Sequence, residues 1–219
     1  MPKITIPTRK GYTFLGYYEN EDAQGKKFYN ADGTSATICT KYTNITLYAA
    51  WESNTYSVIY DKNTPANASS EVTGIMANSK HTYDETKTLS SNLYLLEGYT
   101  FKGWSTSKES VEAEYKKGAT YSKNEATNLY AVWDAKSYVV TFNPQGGEVT
   151  PTSKDVVYNK EYGQLPTPTK QGYRFGGWYL ENTYENKVED KTIVSKSENH
   201  TLYAKWTSAE NTPYTIYHY

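Results

Sequence analysis

Along the chain, short runs of alternating apolar and polar residues are divided by turns rich in Gly, Asn and Pro. That is the pattern of half-buried strands rather than of helices. Gly11-Tyr12-Thr13-Phe14-Leu15-Gly16-Tyr17 returns as Gly98-Tyr99-Thr100-Phe101-Lys102-Gly103-Trp104 and as Gly172-Tyr173-Arg174-Phe175-Gly176-Gly177-Trp178. A second phrase, Leu47-Tyr48-Ala49-Ala50-Trp51, returns as Leu129-Tyr130-Ala131-Val132-Trp133 and Leu202-Tyr203-Ala204-Lys205-Trp206. A third, Tyr56-Ser57-Val58-Ile59-Tyr60 or Tyr138-Val139-Val140-Thr141-Phe142, opens five residues after a closing tryptophan, and Tyr214-Thr215-Ile216-Tyr217 starts in the same way at a looser spacing.

Alternation assigns faces. In the closing phrase Leu, Ala and Trp share one side, and Lys205 marks the other as solvated in the third copy. In the opening phrase Tyr138, Val140 and Phe142 share a face, as do Tyr56, Val58 and Tyr60. The Gly-Tyr-x-Phe-x-Gly-Trp phrase breaks strict alternation, because Phe101 and Trp104 fall on opposite sides. A bulge at the glycine before the tryptophan re-aims the side chain. Trp104 and Trp178 then either bend back to cap the core or stand outside as a binding platform. Asn143-Pro144-Gln145-Gly146-Gly147 and Asn30-Ala31-Asp32-Gly33 carry tight-turn chemistry. One short helix is expected, over Asp190 to Glu198, and the polar stretch Asn63 to Ser91 reads as loop.

The fixed order of the phrases, at a period of about 70 to 90 residues, is the signature of a repeat architecture. Residues 1–51 form a partial repeat lacking its first strands, 56–133 a complete repeat with a loop insertion, 138–206 a complete repeat, and 212–219 the first strand of a further one. The expectation is a piece cut out of phase from a longer array. Connections of only four residues, Glu52 to Thr55 and Asp134 to Ser137, favour a semi-rigid rod.

Composition sharpens this picture. The chain has 24 Tyr and 5 Trp against 5 Phe and 2 Met. A domain this small buries only about 60 to 65% of its unfolded surface. Large aromatics with a polar handle supply apolar area where one side of each sheet stays wet, so the composition needs no ligand to explain it. Charge is nearly balanced, with 23 Lys+Arg and 24 Asp+Glu, which argues against nucleic acid as a partner because such binding needs a positive excess. No stretch is long and apolar enough to insert in a membrane, and residues 1–10 have no signal-peptide core. Cys39 is the sole cysteine and reads as a small buried filler, with no internal disulfide available.

The phrases resemble the Listeria–Bacteroides repeat family, the B-repeat of internalin-type surface proteins. The third copy is nearest to the pattern, with Val140-Thr141-Phe142, Gly146-Gly147, Pro166-x-Pro168, Gly172-Tyr173-x-Phe175-x-Gly177-Trp178 and Leu202-Tyr203-Ala204-x-Trp206. The first keeps Pro7 in the place of Pro168, and the second departs from the pattern with Tyr94 there and no Gly-Gly turn after Tyr60. The resemblance implies an α+β, mainly β fold of tandem small β-grasp-like (ubiquitin-like) repeats with little helix. It also implies an extracellular place on the bacterial cell surface, the signal and anchor lying outside this piece, and a stalk or spacer role that extends to adhesion.

No catalytic residues are expected. His81, His200 and His218 are isolated, and there is no Gly-rich phosphate loop, no Cys/His metal spacing and no nucleophile elbow, so neither enzyme activity, metal nor cofactor is anticipated. The rival function is a carbohydrate module, binding glycan or mucin through Trp104 and Trp178 as exposed aromatics; a host or cell-wall glycan or protein is the corresponding partner. Head-to-tail self-association is a further expectation, the C-terminal strand of one molecule completing the N-terminal unit of another.

Overall fold

The computed structural model describes residues 1–38, 40 and 44–209, so Cys39 and the strand expected over 212–219, with its part in head-to-tail pairing, lie outside the described residues. The first unit is a sheet of order β2-β1-β3, with β1 (Tyr12–Tyr18), β2 (Lys27–Asn30) and β3 (Tyr48–Ser53). The second, β5-β4-β9-β7, uses β4 (Thr55–Asp61), β5 (Ser79–Thr82), β7 (Tyr99–Ser105) and β9 (Thr127–Ala135), with a separate ribbon of β6 (Lys87–Thr88) and β8 (Thr120–Tyr121). The third, β11-β10-β14-β12-β13, uses β10 (Ser137–Asn143), β11 (Ser153–Val157), β12 (Tyr173–Tyr179), β13 (Lys187–Val188) and β14 (His200–Ser208).

The opening and closing strands lie side by side and parallel in both complete units, β4 with β9 and β10 with β14. The remaining ladders are antiparallel. Register places Phe142 across from Leu202 and Tyr60 across from Leu129. Alternation then drives Val140, Phe142, Leu202 and Ala204 into one core, and Val58, Tyr60, Leu129 and Ala131 into another. The Gly-Tyr-x-Phe-x-Gly phrase is bulged against its closing strand in all three units, between Phe14 and Gly16, Phe101 and Gly103, and Phe175 and Gly177. The extra residue turns the following aromatic, Tyr17, Trp104 or Trp178, back onto the side of the phenylalanine.

Four sequence expectations are corrected. The chain is mainly β, and among the described residues there is no helix to supply the expected α component. Residues 190–198 run instead as turns and an isolated bridge. Tyr162 N–H donates to Thr192 O, Asn159 N–H to Val194 O and Val194 N–H to Lys160 O, so beyond the turn closed by Thr192 N–H to Glu189 O the segment's backbone groups are met by a neighbouring loop rather than by helical bonds. The stretch Asn63 to Ser91 is not all loop, because it carries β5, which pairs with β4 through Thr55–Thr82 and Tyr56–His81, and also β6. The connections between units are shorter than four residues: only Asn54 separates β3 from β4, and only Lys136 separates β9 from β10.

The first unit differs in one more respect. Its closing strand has no parallel partner among the described residues, and Ala49 is exposed where Ala131 and Ala204 are fully buried. Ala50, on the face that carries Lys205 in the third unit, is buried, opposite the bulge glycine Gly16.

Candidate functional site

The main sheet of each unit is organised around one phenylalanine. Phe101 lies edge-on to Trp104 and Trp133, at 4.9 and 5.7 Å between ring centroids, and Phe175 edge-on to Trp178 and Trp206, at 5.4 and 5.8 Å. Phe14 holds Tyr17 and Trp51 in the same way at 5.2 and 5.4 Å. Such pairs add about 0.5–1.5 kcal/mol each beyond the area they bury. Trp104 and Trp178 are each 2% exposed, so both indole faces are covered by core. Trp178 Nε1–H donates to Pro166 O at 2.7 Å, and Trp206 Nε1–H to Pro144 O at 2.8 Å. A shallow groove lies beside each buried tryptophan, lined by Leu89, Phe101 and Lys116 in the second unit and by Leu165, Phe175 and Lys187 in the third.

The joints between units are built alike. Gly11 and Gly98 sit at the third position of tight turns closed by Tyr12 N–H to Arg9 O at 3.1 Å and Tyr99 N–H to Leu96 O at 3.2 Å. Their φ angles are +77° and +74°, the left-handed values that such a turn demands of its third residue. The single connecting residue bonds both ways. Asn54 N–H donates to Gly11 O and Asn54 O accepts from Tyr83 N–H, at 2.8 and 2.9 Å; Lys136 N–H donates to Gly98 O and Lys136 O accepts from Tyr158 N–H, both at 2.9 Å.

The incoming tyrosine then lies on the turn. A Cβ on Gly11 or Gly98 would overlap the ring of Tyr83 or Tyr158. Tyr12 and Tyr83 meet edge-on at 5.6 Å, Tyr99 and Tyr158 at 5.7 Å. Each incoming tyrosine is followed by a short polar residue in left-handed conformation, Asp84 (φ 61°) or Asn159 (φ 60°). These reach back across the joint: Tyr12 Oη–H donates to Asp84 Oδ2 at 2.9 Å, and Asn159 Nδ2–H donates to Tyr99 Oη at 3.0 Å. The second joint adds Ser69 with Tyr158, Asn159 with Asn67 O, and Ser197 Oγ–H to Glu97 Oε1 at 2.6 Å. The sequence shows both glycines. It gives no sign of their partners, because Tyr83 falls in the stretch read as loop.

Titratable groups are few in the interior. His81 is fully buried, stacked on Tyr56 at 5.6 Å and bonded through Nε2 to Ser79 Oγ at 2.9 Å. Burial, and then the charge of Lys87, holds it below its ordinary value. Tyr162 Oη pairs with His200 Nε2 at 2.6 Å, and burial pushes the phenol up to about 12. Among the described residues no three His, Cys, Asp or Glu side chains gather as metal ligands, and no helix is long and apolar enough to cross a membrane.

A family model, the Listeria-Bacteroides repeat domain, matches residues 1–50, 56–132 and 138–205. The chain belongs to this family. A protein named as a Gly-rich membrane protein of Evansella cellulosilytica is 32% identical over 211 residues, covering 94% of this chain and 23% of its own length. A second protein of that organism, named as a membrane protein, is 30% identical over 203 residues, 93% of this chain and 28% of its own. Internalin H of Listeria monocytogenes is 34% identical over 115 residues, 52% of this chain and 20% of its own. The chain therefore spans between a fifth and three-tenths of the relatives it matches.

Proposed function

We propose that this repeat segment is a non-catalytic spacer of a bacterial surface protein, holding other parts of its parent at a set distance and orientation. The observation that carries the reading is the joint. A one-residue connection bonded in both directions, with a tyrosine packed on a glycine turn, leaves neighbouring units few relative orientations. The kinship with an internalin and with proteins named as membrane proteins supports the place at the surface.

The test is Gly98→Ala. The new methyl displaces Tyr158, and left-handed backbone costs a non-glycine residue about 1 kcal/mol or more. The second and third units are expected to keep their folds and to lose their common tumbling in 15N relaxation. Common tumbling that survives the substitution overturns the rigid-joint reading.

Binding of a glycan is the second reading, supported by the recurrence of the groove beside Trp104 and Trp178 in both complete units. There the lysines at the rim meet the sugar, while the covered indoles hold the groove's shape from behind.

A further inference from the structure

The chain has three Gly-Tyr turns of one build, and two of them are filled. At the third, Gly172 has φ +75°, Tyr173 N–H donates to Lys170 O at 3.1 Å, and Ala209 N–H donates to Gly172 O at 2.9 Å. Ala209 thus stands where Asn54 and Lys136 stand at the filled joints. Yet among the described residues a Cβ on Gly172 would meet nothing within 4 Å. Gly98 is buried, whereas Gly172 is exposed and Tyr173 is 45% exposed. Among the described residues the backbone of the seat is therefore formed without the ring that covers the other two.

The seats differ in charge. The ammonium of Lys170 lies 4.6 Å from the centroid of Tyr173, as the guanidinium of Arg9 lies 3.8 Å from that of Tyr12. The Arg9–Tyr12 seat is the one that receives Tyr83 followed by the acidic Asp84, while the seat headed by the neutral Leu96 receives Tyr158 followed by Asn159. We infer that the turn at Gly172 and Tyr173, with Lys170 beside it, is a docking seat for the tyrosine–aspartate turn of a further repeat unit of this same kind. The inference deepens the spacer reading and rests on it. In sequence, Tyr214 follows Trp206 by eight residues where Tyr56 and Tyr138 follow their tryptophans by five. The added length leaves the seat within reach, since loop-closure entropy grows only slowly with loop length.

The experiment extends the full chain, replacing residues 210–219 with a second copy of residues 55–133 so that Ala209 takes the place of Asn54. The added unit is expected to tumble with the third one, its Tyr83 amide to exchange about tenfold or more slowly than without docking, and Gly172→Ala to abolish both effects. A folded copy that tumbles freely with an unprotected Tyr83 amide overturns the inference. If that copy does not fold, a copy of residues 137–206 with Asn159→Asp takes its place under the same criteria. The two readings fail separately: free tumbling at the new joint alone sinks the docking seat, and free tumbling between the second and third units sinks the spacer reading.

Discussion

The second and third units share their parallel opening and closing strands, their bulge and their Phe–Trp cluster, and differ in what surrounds them. The third covers Trp178 with the Pro166–Pro168 segment, whose Pro166 carbonyl takes the indole N–H. The second has Tyr94 in the place of Pro168, and fills the space with a ring edge-on to Trp104 at 6.1 Å and a hydroxyl donated to Tyr60 O at 2.8 Å. The third pairs its buried tyrosine with a histidine at the start of β14; the second buries a histidine outright on β5. The parallel strand pair and the aromatic cluster are thus the common frame, and the surroundings are free to change as long as the tryptophan stays covered and the backbone groups stay paired.

The largest break in that comparison comes from removing the common element. Trp104→Ala and Trp178→Ala should each destabilise their own unit by about 3–5 kcal/mol, the cost of emptying a core site of that size. Hydrogen exchange read by mass spectrometry should show the loss within 56–133 for the first and within 138–206 for the second. Equal loss in both units from either substitution contradicts separate cores. The milder Trp104→Phe and Trp178→Phe substitutions, which keep an aromatic ring, serve the glycan reading: a glycan-array signal that disappears in these proteins while they stay folded supports it, and one that persists, or is absent from the start, removes it.

The frame was legible in the sequence, for a physical reason. Strands that bury every second residue must spell it out, and Val140-Thr141-Phe142 and Leu202-Tyr203-Ala204 do. The bulge was legible from the mismatch between Phe101 and Trp104 with a glycine between them. β5 was not, because Ser79-Lys80-His81-Thr82 buries a single residue, and that residue is a histidine. The expected helix at 190–198 failed for a related reason: Ile193 and Val194 form its apolar content, and they are spent on a bridge to Glu161 and on the backbone bonds to Asn159 and Lys160. The joints were legible only as short connections and glycines; their partners were not, since each joint pairs residues far apart in sequence with no periodicity to betray them.

A smaller effect separates the two ways of covering the tryptophan. Tyr94→Phe keeps the ring against Trp104 and removes one hydroxyl. Tyr60 O then loses a buried donor, a cost of about 1–3 kcal/mol for an unsatisfied group. Chemical denaturation should show the second unit weakened by that amount and the third unchanged. A neutral result would mean that water or another donor reaches the Tyr60 carbonyl, and that shape alone covers Trp104.

The smallest effect is the pH dependence that should distinguish the two units. His81 faces Ser79 and Lys87 and the rings of Tyr56 and Tyr121, with no carboxylate among these neighbours, and its Nδ1 is buried without a hydrogen-bond partner among the described residues. Burial first, and the Lys87 charge second, lower its affinity for a proton below the ordinary value of 6.5. The unfolded chain takes up that proton near 6.5 and the folded unit resists it, so the unfolded state binds more protons below that pH. The contribution is present in full above about 6.5 and is lost as the pH falls through the lowered folded value. Acidification from about pH 7 to pH 5 should therefore depress the thermal midpoint of the second unit more than that of the third. His81→Phe, which cannot be protonated, should remove the difference while leaving the ring contacts with Tyr56 and Tyr121 in place. If the second unit in His81→Phe is still the more acid-sensitive of the two, the difference originates elsewhere, with Glu114 the next candidate. Its carboxylate, held below the ordinary carboxylate range by hydrogen bonds from Thr106 and Ser105, loses stabilisation in the same direction at lower pH.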